Sequence, residues 1–312
     1  MSPSVADGER WEKLGRVYVA SGERPWCHSH AVLPTVLKLR RDRLRVYVAF
    51  LDRGLVGRLG FVEVDARDPR RVLAVSAEPV LDIGADGTFD DNGVTPMSIV
   101  RSGDALLLYY TGWQLGRKAR YFLFTGVAKS LDGGLSFQRM SQVPLLDRCD
   151  GELFVRTACF VCRDQRRWRM WYIGGDRWIE VNGKLVPSYN LRYLESNVPA
   201  RWTDRPGRVL MDLQGTDEYG FGRPFVVRSE DRYQLWYSIR SVSKGYRIGY
   251  AESPDGLEWS RQDDRAGIDV STNGWDSEMI CYASVVATRY GTYMFYNGNN
   301  FGETGFGVAV LR

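Results

Sequence analysis

NGVTPMSIV (residues 92–100), ALLLYYTGW (105–113), YFLFTGVAKS (121–130) and LSFQRMSQVPLLD (135–147) follow one another as four apolar runs, parted by short charged or glycine-bearing turns such as RSGD (101–104). Each run has strand length, is rich in β-branched and aromatic residues and is bounded by turn formers. Neighbouring runs therefore pair as hairpins, and the four predict one antiparallel sheet.

The same unit recurs along the chain. Aligned on a proline or small residue, HAVLPTVLK at Pro34, NGVTPMSIV at Pro96, FVRTACFV at Ala158, GFGRPFVV at Pro224 and MICYASVV at Ala283 lie 62, 62, 66 and 59 residues apart. Each is followed by a second run (RVYVAFLD, ALLLYYTGW, RMWYIGGD, YQLWYSIR, TYMFYNGN) and a third, and four repeats add a fourth; turns such as RRDR and RSED separate them. The near-constant step predicts an all-β fold, a five-bladed β-propeller of four-stranded antiparallel blades. The fifth repeat stops after its third run at Arg312, and ERWEKLGRVYVAS (9–21) resembles the missing fourth. The N-terminal strand is thus expected to join the last blade and close the ring, making 1–312 a single domain nearly free of helix.

Composition narrows function mainly by exclusion. With 42 Lys+Arg against 38 Asp+Glu among 312 residues, charge prescribes neither nucleic acid nor an anionic membrane as partner. No apolar run reaches membrane-helix length and the opening MSPSVADGERWEKLGR is polar, so the expected address is cytoplasmic. The five cysteines, Cys27, Cys149, Cys159, Cys162 and Cys281, are odd in number and dispersed, which favours reduced thiols. Cys159 and Cys162 stand three apart on a strand, where side chains alternate, so the CxxC spacing is not read as a redox or zinc motif. The chain has no Gly-rich phosphate loop, G-x-S-x-G elbow, H-E-x-x-H or dinucleotide fingerprint, and no metal or cofactor is expected.

In a propeller the residues before each first strand and after each second strand crowd one mouth of the ring. Here those positions hold His28 and His30, Asp91, Glu152, Glu218 with Tyr219, and Glu278, then Asp52, Trp113, Arg177 with Trp178, and Asn299. Carboxylates gathered in a narrow mouth would repel one another and acquire raised pKa values, as acid/base chemistry requires. Flat aromatic faces suit sugar rings. Arg156 and Arg223 fall inside first strands, where a charge aimed at the axis needs a counterion or anionic ligand, and Tyr282 lies beside them. The pattern reads as a pocket for a carbohydrate or sugar conjugate.

With these repeats, the S-x-D-G turns Ser130-Leu131-Asp132-Gly133 and Ser253-Pro254-Asp255-Gly256 (the latter followed by Trp259) and the terminal closure, the chain resembles the five-bladed glycoside-active propellers, glycoside hydrolase families 32, 43, 62, 68, 117 and 130. The resemblance implies an acid in blade one as base or nucleophile, one in blade two as stabiliser and a Glu in blade three as general acid. The residues before the aligned positions, Leu33, Thr95, Thr157, Arg223 and Tyr282, are not acidic, and His30 takes the blade-one slot. The expected assignment is Glu152 as general acid, Asp91 as base or pKa modulator, His30 as auxiliary proton carrier, and Glu218 and Glu278 as further acid/base or hydroxyl-binding groups. The substrate would be a small sugar bearing a uronate, phosphate or nucleotide diphosphate. Two alternatives stand beside this hydrolase reading: a non-catalytic sugar-binding propeller, and transfer to an arginine-held phosphate.

Overall fold

The computed structural model describes residues 10–40, 42–229 and 231–312. Arg41 and Glu230, from the sequence stretches RRDR and RSED, and Glu9, from the stretch ERWEKLGRVYVAS, lie outside them.

The apolar runs become strands in the order read from sequence. The first four are β1 (Trp11–Tyr18), then β2 (Ser29–Lys38), β3 (Arg43–Leu51) and β4 (Gly57–Asp65). Next come β5 (Val72–Val75), β6 (Val94–Ser102), β7 (Ala105–Leu115), β8 (Tyr121–Ser130) and β9 (Gln138–Arg139). The middle of the chain gives β10 (Val155–Asp164), β11 (Arg167–Val181), β12 (Lys184–Ser196) and β13 (Arg208–Met211). Then follow β14 (Glu218–Arg228), β15 (Tyr233–Ser241), β16 (Arg247–Ser253) and β17 (Ser260–Arg261), and last β18 (Cys281–Ala287), β19 (Thr292–Asn297) and β20 (Phe306–Leu311). Among the described residues the helical turns are Asp263–Arg265 and Asn299–Gly302.

Within each group the ladders are antiparallel: β2-β3-β4-β5, β6-β7-β8-β9, β10-β11-β12-β13 and β14-β15-β16-β17. The last group is β18-β19-β20 completed by β1, which pairs with β20 from Trp11 opposite Leu311 to Tyr18 opposite Phe306. Short parallel bridges, β8 to β10 and β12 to β14, join the three middle groups into one twelve-stranded sheet. Each first strand also touches the next, β2 with β6, β6 with β10, β10 with β14, β14 with β18, and β18 with β2.

Second strands are buried almost throughout, as in β15, because both faces of each sheet meet a neighbouring sheet. That accounts for the aromatic content: Trp11 meets Trp236 edge-on at 5.9 Å, and Phe160 meets Phe225 at 4.8 Å. The S-x-D-G turns clamp sheet to sheet. Tyr47 donates to the Gly134 carbonyl at 2.9 Å and the Trp171 indole to that of Gly256 at 2.8 Å. Asp132 and Asp255 accept from backbone amides and serine hydroxyls within their own turns, bonds that hold both carboxyls below the usual range against the opposing effect of burial. Cys159 and Cys162 are free thiols, both pushed up to about 12 by burial. Among the described residues no helix is long and apolar enough to cross a membrane.

Candidate functional site

Each first strand carries a bulge at the repeat's aligned position. The pairing register slips between Val32 and Thr35, Pro96 and Ser98, Thr157 and Phe160, Gly222 and Phe225, and Cys281 and Ser284. At four of the five a non-glycine residue has positive φ: Leu33 at 62°, Ala158 at 53°, Arg223 at 28° and Tyr282 at 62°. Such backbone persists only where surroundings over-determine it. Here Asn297 Oδ1 accepts from the Leu33 amide at 2.7 Å and Ser238 Oγ from the Tyr282 amide at 2.9 Å, each reaching over from a neighbouring group. The counterpart of Pro34, Pro224 and Ala283 in the third repeat is therefore Cys159, one residue past the position chosen from sequence.

All four strained residues border one cavity of about 700 Å³, into which all five groups contribute. Its walls are aromatic. Trp113 and Tyr121 lie 5.3 Å apart, and Tyr189, Tyr219, Tyr246 and Tyr282 border the same cavity. The long hairpin β11–β12 reaches over the rim with Val181, Asn182, Lys184 and Val186; its Asn182-Gly183 turn has φ of 51° and 73°, the two positive angles of a type I′ hairpin.

Among the described residues that border this cavity, none is Asp or Glu. Its cations are Arg120, Lys184, Arg223 and Arg240, with His30 beside them. Arg223 is spent on the fold: Nη1 donates to the carbonyls of Pro34 at 2.7 Å and Tyr282 at 3.0 Å, and Nη2 to Thr35 Oγ1 at 2.9 Å and the Met97 carbonyl at 3.2 Å. It ties β14 to β2, β6 and β18, and burial pulls its pKa down to about 9. Arg240 is different. It is 5% exposed, its guanidinium lies 4.3 Å from the Tyr219 ring and 4.6 Å from the Tyr189 ring, and Nη1 donates to the Pro187 carbonyl at 2.9 Å. Nε has no acceptor, and no carboxylate among the described residues pairs with this side chain.

His30, Trp113, Tyr219, Arg223 and Tyr282 are thus brought together as the sequence suggested. The expected catalytic carboxylates are not, and that expectation is corrected. Glu152 is wholly buried in an ion pair with Arg156 at 2.6 Å, and also accepts from Tyr172 at 2.7 Å, Arg192 at 3.0 Å and the Gly207 amide at 3.0 Å. Glu218 is held bidentately by Arg261 at 2.7 and 2.9 Å. Asp91 caps its own turn through the Gly87 amide at 2.9 Å. Glu278 lies outside the lining, and its carbonyl accepts from Arg247 at 3.0 Å.

Six expected substrate contacts also stand elsewhere. Arg156 points into its own sheet, toward Glu152 and the carbonyls of Asp147, Thr203 and Arg205. Asp52 orders a turn through Gly54, Val56 and Arg58, which hold its carboxyl below the usual range. Asn299 spends its carbonyl oxygen on the amides of Glu278 and Met279. Trp178 backs the wall, packed between Tyr121 at 5.5 Å and Phe154 at 5.6 Å, while Arg177 and His28 are exposed outside the lining.

The acids before the first strands are instead recurrent braces. Asp90 accepts from Tyr110 on the second strand at 3.0 Å and from Arg139 on the fourth at 2.7 Å; Asp276 accepts from Tyr296 at 3.0 Å and from Lys13 on β1 at 2.7 Å. Glu152 with Tyr172 repeats this in the third group. The first group lacks the acid, and there Val48 stands at the tyrosine's register position, with Phe50 two residues on packed on Trp26 at 5.5 Å.

Sequence reasoning missed Arg240's role, Tyr121, Tyr189, Tyr246 and Lys184. Third strands start at the same mouth where second strands end, so their opening residues belonged in the search. The Asn182-Gly183 pair was a readable signal for the long hairpin.

No protein-family model matches the chain. It is 39% identical over 302 residues to the uncharacterized protein Rv1502 of Mycobacterium tuberculosis, spanning 97% of this chain and 99% of that relative. Among solved structures it is similar to a glycosyl hydrolase from Bacteroides ovatus (TM-score 0.71, 14% identity, 99% of this chain and 96% of that one). It is also similar to a thermostable family-43 glycoside hydrolase (TM-score 0.61, 17% identity, 91% and 88%) and to the family-32 β-fructofuranosidase of Bombyx mori (TM-score 0.60, 15% identity, 94% and 63%). The chain has the fold of the propeller-type glycoside hydrolases.

Proposed function

We propose, for a chain that belongs to one family with the mycobacterial protein Rv1502, that its cavity binds a sugar or sugar conjugate by an anionic group and does so without a catalytic carboxylate pair. The reading takes the five strand groups as five blades of a single domain, closed by β1 on β20, with the cavity on the axis; the contact of β18 with β2 supports it.

Arg240 carries the proposal. A buried guanidinium without a carboxylate is costly unless something answers its charge, and planar N–H donors match carboxylate or phosphate oxygens. Aromatic walls beside it offer faces for sugar rings, and the fold shared with sugar hydrolases points the same way. Two-carboxylate hydrolysis through Glu152 and Asp91 has no support in this geometry, because proton transfer requires hydrogen-bond reach of the substrate. Of the expected catalytic set only His30 borders the cavity, and burial lowers its pKa, which keeps the imidazole neutral and able to accept a proton.

Calorimetry with sugar acids and sugar phosphates against neutral glycosides tests the reading. Anionic sugars are expected to bind roughly tenfold tighter or better, and Arg240→Gln to lose at least that margin. Equal binding of neutral and anionic sugars, or an indifferent Arg240→Gln, would overturn it. Arg240 also supports a second reading, transfer to phosphate: glycoside cleavage strictly dependent on added phosphate would establish it, and cleavage without phosphate would exclude it.

A further inference from the structure

We infer that the anionic group is a phosphate ester rather than a sugar carboxylate, held between Arg240 in the depth of the cavity and Arg120 and Lys184 at its rim. The inference rests on the reading of the cavity as an anion site.

It begins with how this chain places charge. Formal charge is nearly balanced, and among the described residues the buried basic side chains away from the cavity are answered by acids: Arg45 by Glu63 at 2.6 Å, Arg156 by Glu152 at 2.6 Å and Arg169 by Asp164 at 3.0 Å. The cavity departs from that pattern. Arg120 and Lys184 come from separate loops, at the start of β8 and the tip of the β11–β12 hairpin, and neither has an ion-pair partner among the described residues. Arg120 lies 6.0 Å from the ring of Tyr121, which borders the same cavity as Arg240.

Three cations facing an acid-free space of about 700 Å³ form a focused positive potential. A sugar acid brings one negative charge and two oxygens, enough for Arg240 alone. A phosphate monoester brings close to two charges and three terminal oxygens, enough to engage the deep guanidinium and the rim together. Lys184 supplies a point charge with three rotatable donors, suited to a phosphate's spread of oxygens.

The test is calorimetry on the full chain with four probes: inorganic phosphate against acetate, and glucose 1-phosphate against glucuronate. The proteins are the wild type and the paired variant Arg120→Gln with Lys184→Gln. Both rim positions are exposed, so the variant is expected to fold, which its melting temperature checks. The expected result is phosphate over acetate, and glucose 1-phosphate over glucuronate, by roughly tenfold, with that preference falling to roughly twofold in the paired variant. Acetate and glucuronate binding as tightly as their phosphate counterparts, or a preference unchanged in the paired variant, would overturn the phosphate assignment and leave the anion site standing. Absence of binding by all four probes would remove both.

Discussion

Two arginines in this molecule sit in nearly the same aromatic surroundings and differ in what answers them. Arg169 lies 5.2 Å from each of the rings of Trp171, Tyr193 and Tyr233, and each of its three nitrogens donates: to Asp164 at 3.0 Å, to the hydroxyls of Tyr193 and Tyr233, and to the Asp255 carbonyl at 2.7 Å. Arg240 has its cage of tyrosines and a single backbone acceptor. Away from the cavity, burial of charge is a closed account within the protein; at the cavity it is left open. Carboxylates thus serve structure in this chain, and the candidate site is where they are absent among the described lining residues.

The largest effect should come from opening a closed brace. Glu152→Gln leaves Arg156, 1% exposed, without its counter-charge, and breaking a buried pair on one side costs about 3 to 5 kcal/mol. Denaturant unfolding should register that loss, while any ligand bound by the folded fraction keeps its affinity. A variant of wild-type stability that no longer binds would reverse the comparison and restore Glu152 to the site. Arg240→Met should do the opposite, changing stability by no more than about 1 kcal/mol because only ring contacts and one hydrogen bond are lost, while abolishing the preference for anionic sugars.

A smaller effect tests the braces as a repeat. Tyr110→Phe removes the hydroxyl that donates to buried Asp90 and should cost about 1 to 3 kcal/mol, since a hydrogen bond to a charged group goes unmade. Phe50→Tyr should cost a comparable amount for the converse reason, a hydroxyl placed where no acid waits. Were Phe50→Tyr neutral, the first group would tolerate a buried hydroxyl with no acid to receive it, and the pairing of acid with tyrosine in the other groups would not be a requirement of burial.

That pairing bears on what was readable beforehand. Repeats at a near-constant step, hairpin order and the N-terminal strand beside the last group followed from periodicity, because alternation and turn residues are local properties of the chain. The candidate site was half legible. His30, Trp113, Tyr219, Arg223 and Tyr282 could be placed because bulged first strands and second-strand ends deliver them to one mouth. The acids misled, since a carboxylate before a strand reads the same whether it faces solvent or a buried tyrosine. The decisive cue was covariation inside the repeat: Tyr110, Tyr172 and Tyr296 accompany an acid, and Val48 at the same register position accompanies none. Arg240's isolation could not be read at all, because it depends on which distant side chains fail to reach it.

The smallest expected effect concerns His30, the titratable member of the cavity nearest to neutral pH. Burial lowers its pKa from the ordinary 6.5, opposed in part by the Glu303 carboxylate, and Ser29 Oγ lies 2.9 Å from Nδ1. With the folded value below the unfolded one, the unfolded chain binds more protons in the window beneath 6.5. Stability is therefore unaffected above that window and declines as pH falls through it, levelling once the folded imidazole is protonated. His30→Gln should flatten this part of the stability profile. A bound phosphate should do the reverse to the histidine itself, raising its pKa and coupling ligand affinity to protonation; because the phosphate ester also takes up its second proton at about pH 6 in both proteins, affinity for glucose 1-phosphate should hold up better in the wild type than in His30→Gln as pH falls from about 7 toward 6. An identical pH response in both proteins would place His30 at the wall of the cavity without a part in recognising what fills it.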